Sequence, residues 1–423
     1  MPQDLLPKDT TPIPGGSLGR HQIAERMTHR GSIGIKAITF LNSLATGVLW
    51  NGLGFITSNE FHYSASQTYA LYIVTGAVYA FSALYCGRLV RRFERKLNAR
   101  KVMMILFLIQ VLVAPMIYFG SSSFGLIVIA IVTSFTGACL WPIIESYVAA
   151  GRSAQQTRKA IGQWCIVWMT SVSLALFLMA PLQQNEGWMN PRLALFAILP
   201  MSLLSMACLW FVPSHPGHHH APAEEAPADY NSHLKSARIL LPASYLLVGA
   251  LSPLMPYLLD RLKLEATSET PLTSVWLSTR VVVVALMAHI SFWHGRWSTL
   301  LAGSILLASG FAIVVTIPSM PFIVIGLALF GAGHGIIYYA ALYYALRVGS
   351  AGIDAGGMHE ALIGLGYVVG PAAGLCGFLL GGGGWTVAIV WGLLAIAAIS
   401  SGSAIFRFVE TKTKNALFEY KLK

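Results

Sequence analysis

The sequence predicts an all-α membrane protein of twelve transmembrane helices arranged as two six-helix halves. Three observations predict it. The chain is a succession of apolar stretches, each of roughly 18–25 residues and so long enough as a helix to cross a hydrocarbon core of about 30 Å. Lys and Arg collect in alternate gaps between those stretches, and one longer polar interruption divides them six and six. Composition agrees: 55% of the 423 residues are hydrophobic and 11% are charged, where soluble domains carry about 25% charged residues. Mean hydropathy is +0.64.

Residues 1–32 are polar and contain Pro and Gly, and read as a tail without a signal peptide. The first span must then serve as the targeting element. Spans are expected near 33–57, 66–88, 102–120, 124–149, 161–182 and 192–213, which make a first half over 33–213. A second half over 237–408 holds spans near 237–259, 272–293, 299–317, 320–346, 359–380 and 385–408, and a tail follows at 409–423. Without water in the bilayer core the backbone must bond to itself, so each span is a helix.

Orientation follows from the gaps. Of 28 Lys and Arg residues, Arg192, Arg261 and Lys263 fall on the far side and Arg280 lies inside a span; the others sit on the side of the N-terminus. By the positive-inside rule that side is cytoplasmic and both termini are inside, as in a plasma membrane or bacterial inner membrane protein. The net charge of +11 is thus a topology signal beside anionic lipid, and nucleic acid is not expected as a partner because no soluble basic domain exists.

The interruption Ser214 to Lys235, SHPGHHHAPAEEAPADYNSHLK, is rich in Pro, Ala and His and lacks apolar periodicity. It reads as a flexible cytoplasmic linker over 214–236. His218, His219 and His220, with His215, could hold a transition metal, and a solvated tract is the alternative. Cys86, Cys139, Cys165, Cys208 and Cys376 are odd in number and scattered through the spans, which argues for packing rather than a disulfide framework or a metal site.

Six plus six spans, a cytoplasmic mid-chain linker and both termini inside resemble the major facilitator superfamily over nearly the whole chain. The gap after the second span, GRLVRRFERKLNARK, is similar to that family's basic loop motif, with Gly87, Leu89, Arg91, Arg92 and Arg95 laid on the pattern. The family's usual Asp is absent and Arg91 stands about where it should be. In the eleventh span GLGYVVGPAAG, Gly364 to Gly374, resembles the Gly-Pro motif that antiporters of the family carry in their fifth span; here the fifth lacks it. Small residues so spaced let helices approach closely. The fourth and tenth spans also share a Gly-Ala pair, Gly137-Ala138 and Gly331-Ala332. The resemblance implies a parallel repeat with a solute site near the midplane between the halves.

Polar residues within spans are the candidate site. Arg280, in WLSTRVVVVALMA, is expected roughly eight residues in from the outer end, about 12 Å deep. An Arg there usually faces an aqueous cavity or a partner; the alternatives are snorkelling outward or pairing with Asp260. In a cavity its planar fork would attract an anionic or carboxylate solute. Glu145 lies about one turn from the inner end of the fourth span, just after the helix-kinking Pro142. It is read as a salt-bridge partner of Arg152 or the basic loop, or as a carboxylate that takes up a proton. His334, between glycines in GAGHGIIYYAALYYA, is read as a proton carrier or an interhelical hydrogen-bonding group. Tyr338 and Tyr339 offer rings and hydroxyls to a solute. Asn42, Asn51, Gln163, Trp168 and Trp141 could line a cavity or bond between helices. His289, His359 and Glu360 read as gating or structural residues near the inner face.

No Walker loop, Cys-x-x-Cys pair, His-Glu-x-x-His or nucleophile elbow is present, so neither ATP-driven pumping nor covalent catalysis is expected, and no cofactor or resident metal. The expected function is a monomeric secondary transporter for a small solute, with a proton as the candidate coupling ion and membrane lipid around it. A lipid or hydrophobic-drug exporter and a non-transporting assembly factor or sensor are the competing readings.

Overall fold

Runs of apolar residues this long can satisfy their backbone in a bilayer only by coiling, and the chain does so twelve times. The computed structural model describes residues 16–93, 97–119, 122–149, 154–184, 189–216, 227, 229–348, 353–380 and 384–422. Among them twelve helices are long and apolar enough to cross a membrane. In the first half these are α1 (Gly16–Asn51), α2 (Ala65–Phe93), α3 (Ala99–Val113), α4 (Ser122–Ala149), α5 (Ala154–Met179) and α6, in two pieces (Pro191–Phe196 and Ile198–Cys208). In the second half they are α7 (Asp229–Leu251), α8 (Ala266–His289), α9 (Trp297–Thr316), α10 (Met320–Val348), α11 (Ile353–Leu379) and α12 (Gly384–Leu422).

The two halves repeat one packing scheme. In the first, α1 packs on α5 and α6, α2 on α4, and α3 on α4 and α6; in the second, α7 packs on α11 and α12, α8 on α10, and α9 on α10 and α12. Each pair recurs six helices later, so the halves are pseudo-symmetric bundles. They meet chiefly where α2 lies along α11 and α5 along α8.

Glycines make that meeting close. A Cβ added at Gly76 of α2 would lie 2.5 Å from the Tyr367 carbonyl oxygen on α11, and one at Gly364 would lie 2.6 Å from Ala80 Cα on α2. On another face of α11, a Cβ at Gly370 would run into the Leu246 carbonyl oxygen of α7. The glycine-rich run of the eleventh span therefore packs α11 against both bundles at once.

Several boundaries differ from the sequence expectation. The first span was expected to run to 57, but α1 stops at Asn51 and a short helix, Leu53–Asn59, follows. At the break, a Cβ on Gly52 would sit 2.7 Å from Met179 Sδ. Likewise α7 ends at Leu251, not 259, where Pro253 removes a backbone donor, and a short helix Met255–Asp260 follows. The two breaks meet: a Cβ at Gly54 would contact the Ser252 carbonyl oxygen at 3.0 Å. At the chain's ends, α1 begins at Gly16 within the expected tail, and α12 runs on to Leu422 through exposed residues. At 39 residues α12 is about 58 Å long, nearly twice a hydrocarbon core.

Among the described residues, the first part of the basic motif, through Phe93, is helical rather than a loop. Gly87 and Arg92 ride on the last turns of α2, as does the backbone of Arg91, while Arg95 lies outside the described residues. So do His218, His219 and His220 of the linker; the last part of the expected linker, from Asp229, is already α7. All five cysteines are free thiols.

Candidate functional site

A cavity lies between the bundles, walled by α1, α2, α4 and α5 on one side and by α7, α8, α10 and α11 on the other. The α1 wall is a stripe, Ser43, Thr46, Gly47, Trp50 and Asn51, whose spacing is that of one helical face. The space holds the centres of water-sized molecules in about 70 Å³. A water needs about 10–15 Å³ on that measure, so the space takes a handful of waters or a solute fragment of a few heavy atoms. Contacts between the halves flank it on both sides. On the far side Tyr257 Oη donates to the Tyr63 carbonyl at 3.1 Å; on the basic side Tyr339 Oη donates to the Arg158 carbonyl at 3.3 Å.

Arg280 is the cation of this cavity. It is 3% exposed, and counting along α8 it stands roughly 21 Å from Ala266 and about 14 Å from His289. It is thus deeper than the sequence suggested, because α8 begins at Ala266 rather than 272. Its guanidinium carbon lies 4.6 Å from the Trp168 ring centroid and 5.0 Å from that of Trp276. Such cation–π contacts contribute about 2 kcal/mol when desolvated. Nε has no hydrogen-bond partner, and the ion pairs among the described residues do not include Arg280. Neither snorkelling nor a pair with Asp260, which is exposed at the end of its short helix, describes its environment.

Aromatic rings supply most of the remaining wall. Trp50 stacks on Tyr367 with centroids 4.5 Å apart and meets Tyr79 edge-on at 5.1 Å. Tyr338 meets Trp168 edge-on at 5.3 Å. Trp164 is fixed by its Nε1, which donates to Thr39 Oγ1 at 3.0 Å. At the other polar corner, Glu360 of α11 accepts a hydrogen bond from the Tyr79 hydroxyl of α2. The cavity therefore offers a buried guanidinium, a carboxylate and flat aromatic faces.

Of the expected site residues, the cavity brings together Arg280, Trp168, Tyr338, Asn51, Trp141 and Glu360. Glu360, read as a gating or structural group, is a wall residue. Four others stand elsewhere. His334 is fully buried behind the wall, edge-on to Tyr245 at 4.8 Å and to Trp276 at 5.6 Å. Tyr339 turns its hydroxyl to Arg158 of the first bundle. Gln163 is exposed and accepts from Lys36 Nζ at 2.7 Å. Asn42 is buried beside the α1 stripe, one position before Ser43 and so about 100° around the helix.

Glu145 is not a partner of the basic loops among the described residues. It is 1% exposed and points across to α11, where its carboxylate, the Glu360 carboxylate and a His359 ring nitrogen lie within 4.8 Å of one another. His289 ends α8 with Nδ1 2.8 Å from the Ala285 carbonyl and takes no part. Sequence reasoning missed Thr46, Trp50, Tyr79, Trp164, Tyr245 and Tyr367. The α1 members were legible as a polar and aromatic stripe at helical spacing; Tyr79, Tyr245 and Tyr367 carry no such signal.

The sequence profile of the Major Facilitator Superfamily matches residues 37–353. Among solved structures, the chain is similar to a point mutant of the nucleoside transporter NupG, with a TM-score of 0.65 at 12% identity over 89% of this chain and 99% of that one. It is also similar to the human organic anion transporter MFSD10 (TETRAN), with a TM-score of 0.62 at 13% identity over 90% of this chain and 99% of that one. No curated protein matches the chain by sequence. At these identities the likeness speaks to the fold.

Proposed function

Because the chain belongs to the Major Facilitator Superfamily, we propose that it is a secondary transporter carrying a small anionic organic solute between its two bundles by alternating access. The observation that carries this reading is Arg280: a guanidinium without an ion-pair partner, at the wall of a cavity between the halves. An unneutralised buried cation is unfavourable unless an anion visits it. The fork of Arg suits a carboxylate, and the Trp50–Tyr367 stack suits a planar or apolar body attached to it.

Coupling would run through Glu360 and Glu145. Glu360 touches the cavity from α11, and Glu145 approaches it from α4 of the other bundle. Two buried carboxylates facing each other cannot both stay charged unless a cation intervenes, so a proton taken up there links the meeting of the bundles to ion movement. Packed among rings behind the wall, His334 stands further from this path. The basic side would face the cytoplasm of a plasma or bacterial inner membrane, with both termini inside, and the chain would act as a monomer.

A thermal-shift screen of purified protein against metabolite carboxylates tests the solute class, since a ligand of the native state raises its apparent stability. A stabilising carboxylate that loses its effect in Arg280→Ala supports the reading; stabilisation by neutral lipophilic amphiphiles alone, unchanged in Arg280→Ala, would replace it. The aromatic wall favours that second reading, an exporter of hydrophobic solutes.

A further inference from the structure

Beside the Glu360 corner of the cavity, two carboxylates and an imidazole converge at the junction of the bundles. Glu145 comes from α4 of the first bundle, and His359 and Glu360 come from α11 of the second. One donor atom from each lies within 4.8 Å of the others, and the three residues are 1%, 3% and 4% exposed. Both Glu145 oxygens and His359 Nε2 lack a hydrogen-bond partner. The Tyr79 hydroxyl of α2 holds Glu360 from one side. Gly356 makes room for Glu145 against α11, since a Cβ there would lie 2.5 Å from its Oε2.

Other charged groups nearby leave this cluster uncompensated. Arg280 of α8 shares the cavity with Glu360, but its guanidinium is engaged by Trp168 and Trp276. Arg238 of α7 shares a separate small cleft with His359. A proton neutralises one carboxylate; a divalent cation balances both, with the imidazole as a neutral third ligand and cavity water completing the shell. A mixed nitrogen and oxygen donor set suits Mn²⁺ or Zn²⁺ better than Mg²⁺ or Ca²⁺, which prefer oxygen alone. Ligand atoms on a tetrahedral ion with bonds of about 2.1 Å stand roughly 3.4 Å apart, so side-chain rotations that draw the three donor atoms in by on the order of 1 Å close the site.

We propose that Glu145, His359 and Glu360 form a site for a first-row divalent cation that bridges the two bundles and competes with protons for the same carboxylates. Occupied, it clamps α4 to α11 and arrests transport; only this transport effect rests on the reading of Glu145 and Glu360 as the coupling pair.

The test uses full-length, chelator-stripped protein without a polyhistidine tag, in which His215, His218, His219 and His220 are replaced by Ala to silence the linker. Titration with MnCl₂, followed by loss of the free-ion electron paramagnetic resonance signal, should show one bound ion per chain, displaced by ZnCl₂. Affinity should fall at least tenfold in both Glu145→Gln and His359→Ala, with proton release on binding in the parent only. No bound Mn²⁺ or Zn²⁺ in the parent overturns the site, as does binding that survives both substitutions. Metal-free vesicles separate the two readings: pH-driven uptake lost in Glu145→Gln, with no metal bound by the parent, leaves coupling and removes the metal site. Metal binding without any pH-driven uptake does the reverse.

Discussion

Arg280 of the second bundle rests its guanidinium 4.6 Å from the ring centroid of Trp168 in the first. The contact joins α8 to α5 across the bundle interface and leaves Nε unpartnered beside the cavity. One residue thus ties the geometry of the interface to the charge of the site.

Replacing that guanidinium should weaken solute binding more than it weakens the fold. Hydrogen bonds to a charged group contribute about 1.5–3 kcal/mol, so Arg280→Ala should bind a carboxylate solute roughly 10- to 150-fold less tightly. Arg280→Lys keeps the charge but loses the fork and should fall between. Quenching of tryptophan fluorescence reads this directly, because Trp50, Trp164 and Trp168 line the cavity. Unchanged affinity in Arg280→Ala would remove Arg280 from recognition.

Neutral amide replacements of the paired carboxylates should uncouple transport. Glu360→Gln and Glu145→Gln are each expected to abolish uptake driven by an imposed pH gradient while sparing solute exchange at equal pH on both sides. Tyr79→Phe, which removes the hydroxyl that Glu360 accepts from, should weaken driven uptake partially. His334→Gln should leave it, since that ring packs behind the wall. Intact pH-driven flux in both Glu variants would overturn the coupling assignment.

Orientation is open to labelling in intact cells. Ser64 is exposed on the far side, between the short helix Leu53–Asn59 and α2, and Thr413 is exposed near the end of α12. In a cysteine-free background a membrane-impermeant maleimide should label Ser64→Cys from outside and reach Thr413→Cys only after the membrane is opened. Labelling of both from outside would overturn the topology, and labelling of Thr413→Cys alone from outside would reverse the orientation.

The close approach of α2 to α11 should be sensitive to one carbon. A Cβ at Gly76 would fall 2.5 Å from the Tyr367 carbonyl oxygen, so Gly76→Ala must push the bundles apart. Overpacking of this kind costs about 1–3 kcal/mol, a fall in Tm of roughly 2–10 °C. Gly392→Ala is the control, since a Cβ there meets nothing within 4 Å. Equal melting of the two variants would mean that the interface yields at no cost.

Taken alone, the chain determines the twelve helices, the gathering of basic residues in alternate gaps between them, and the anomaly of Arg280. Each is a local property: about 20 apolar residues must form a helix in lipid wherever they stand in the fold, and a charge among them is costly whatever surrounds it. The tertiary structure alone decided which residues share a wall. Glu145 read as a salt-bridge partner of Arg152 or the basic loop, or as a carboxylate that takes up a proton, because sequence shows only what lies nearby along the chain; its approach to Glu360, more than two hundred residues away, came from helix packing. His334 read as a proton carrier or an interhelical hydrogen-bonding group, and the packing of α10 set its ring edge-on to Tyr245 and Trp276. In a soluble helix the apolar stripe would have told the buried face from the exposed one. In a bilayer, lipid-facing and core-facing positions are both apolar, so the face each helix gives to the cavity is fixed by packing between helices and is not written in the hydrophobic pattern.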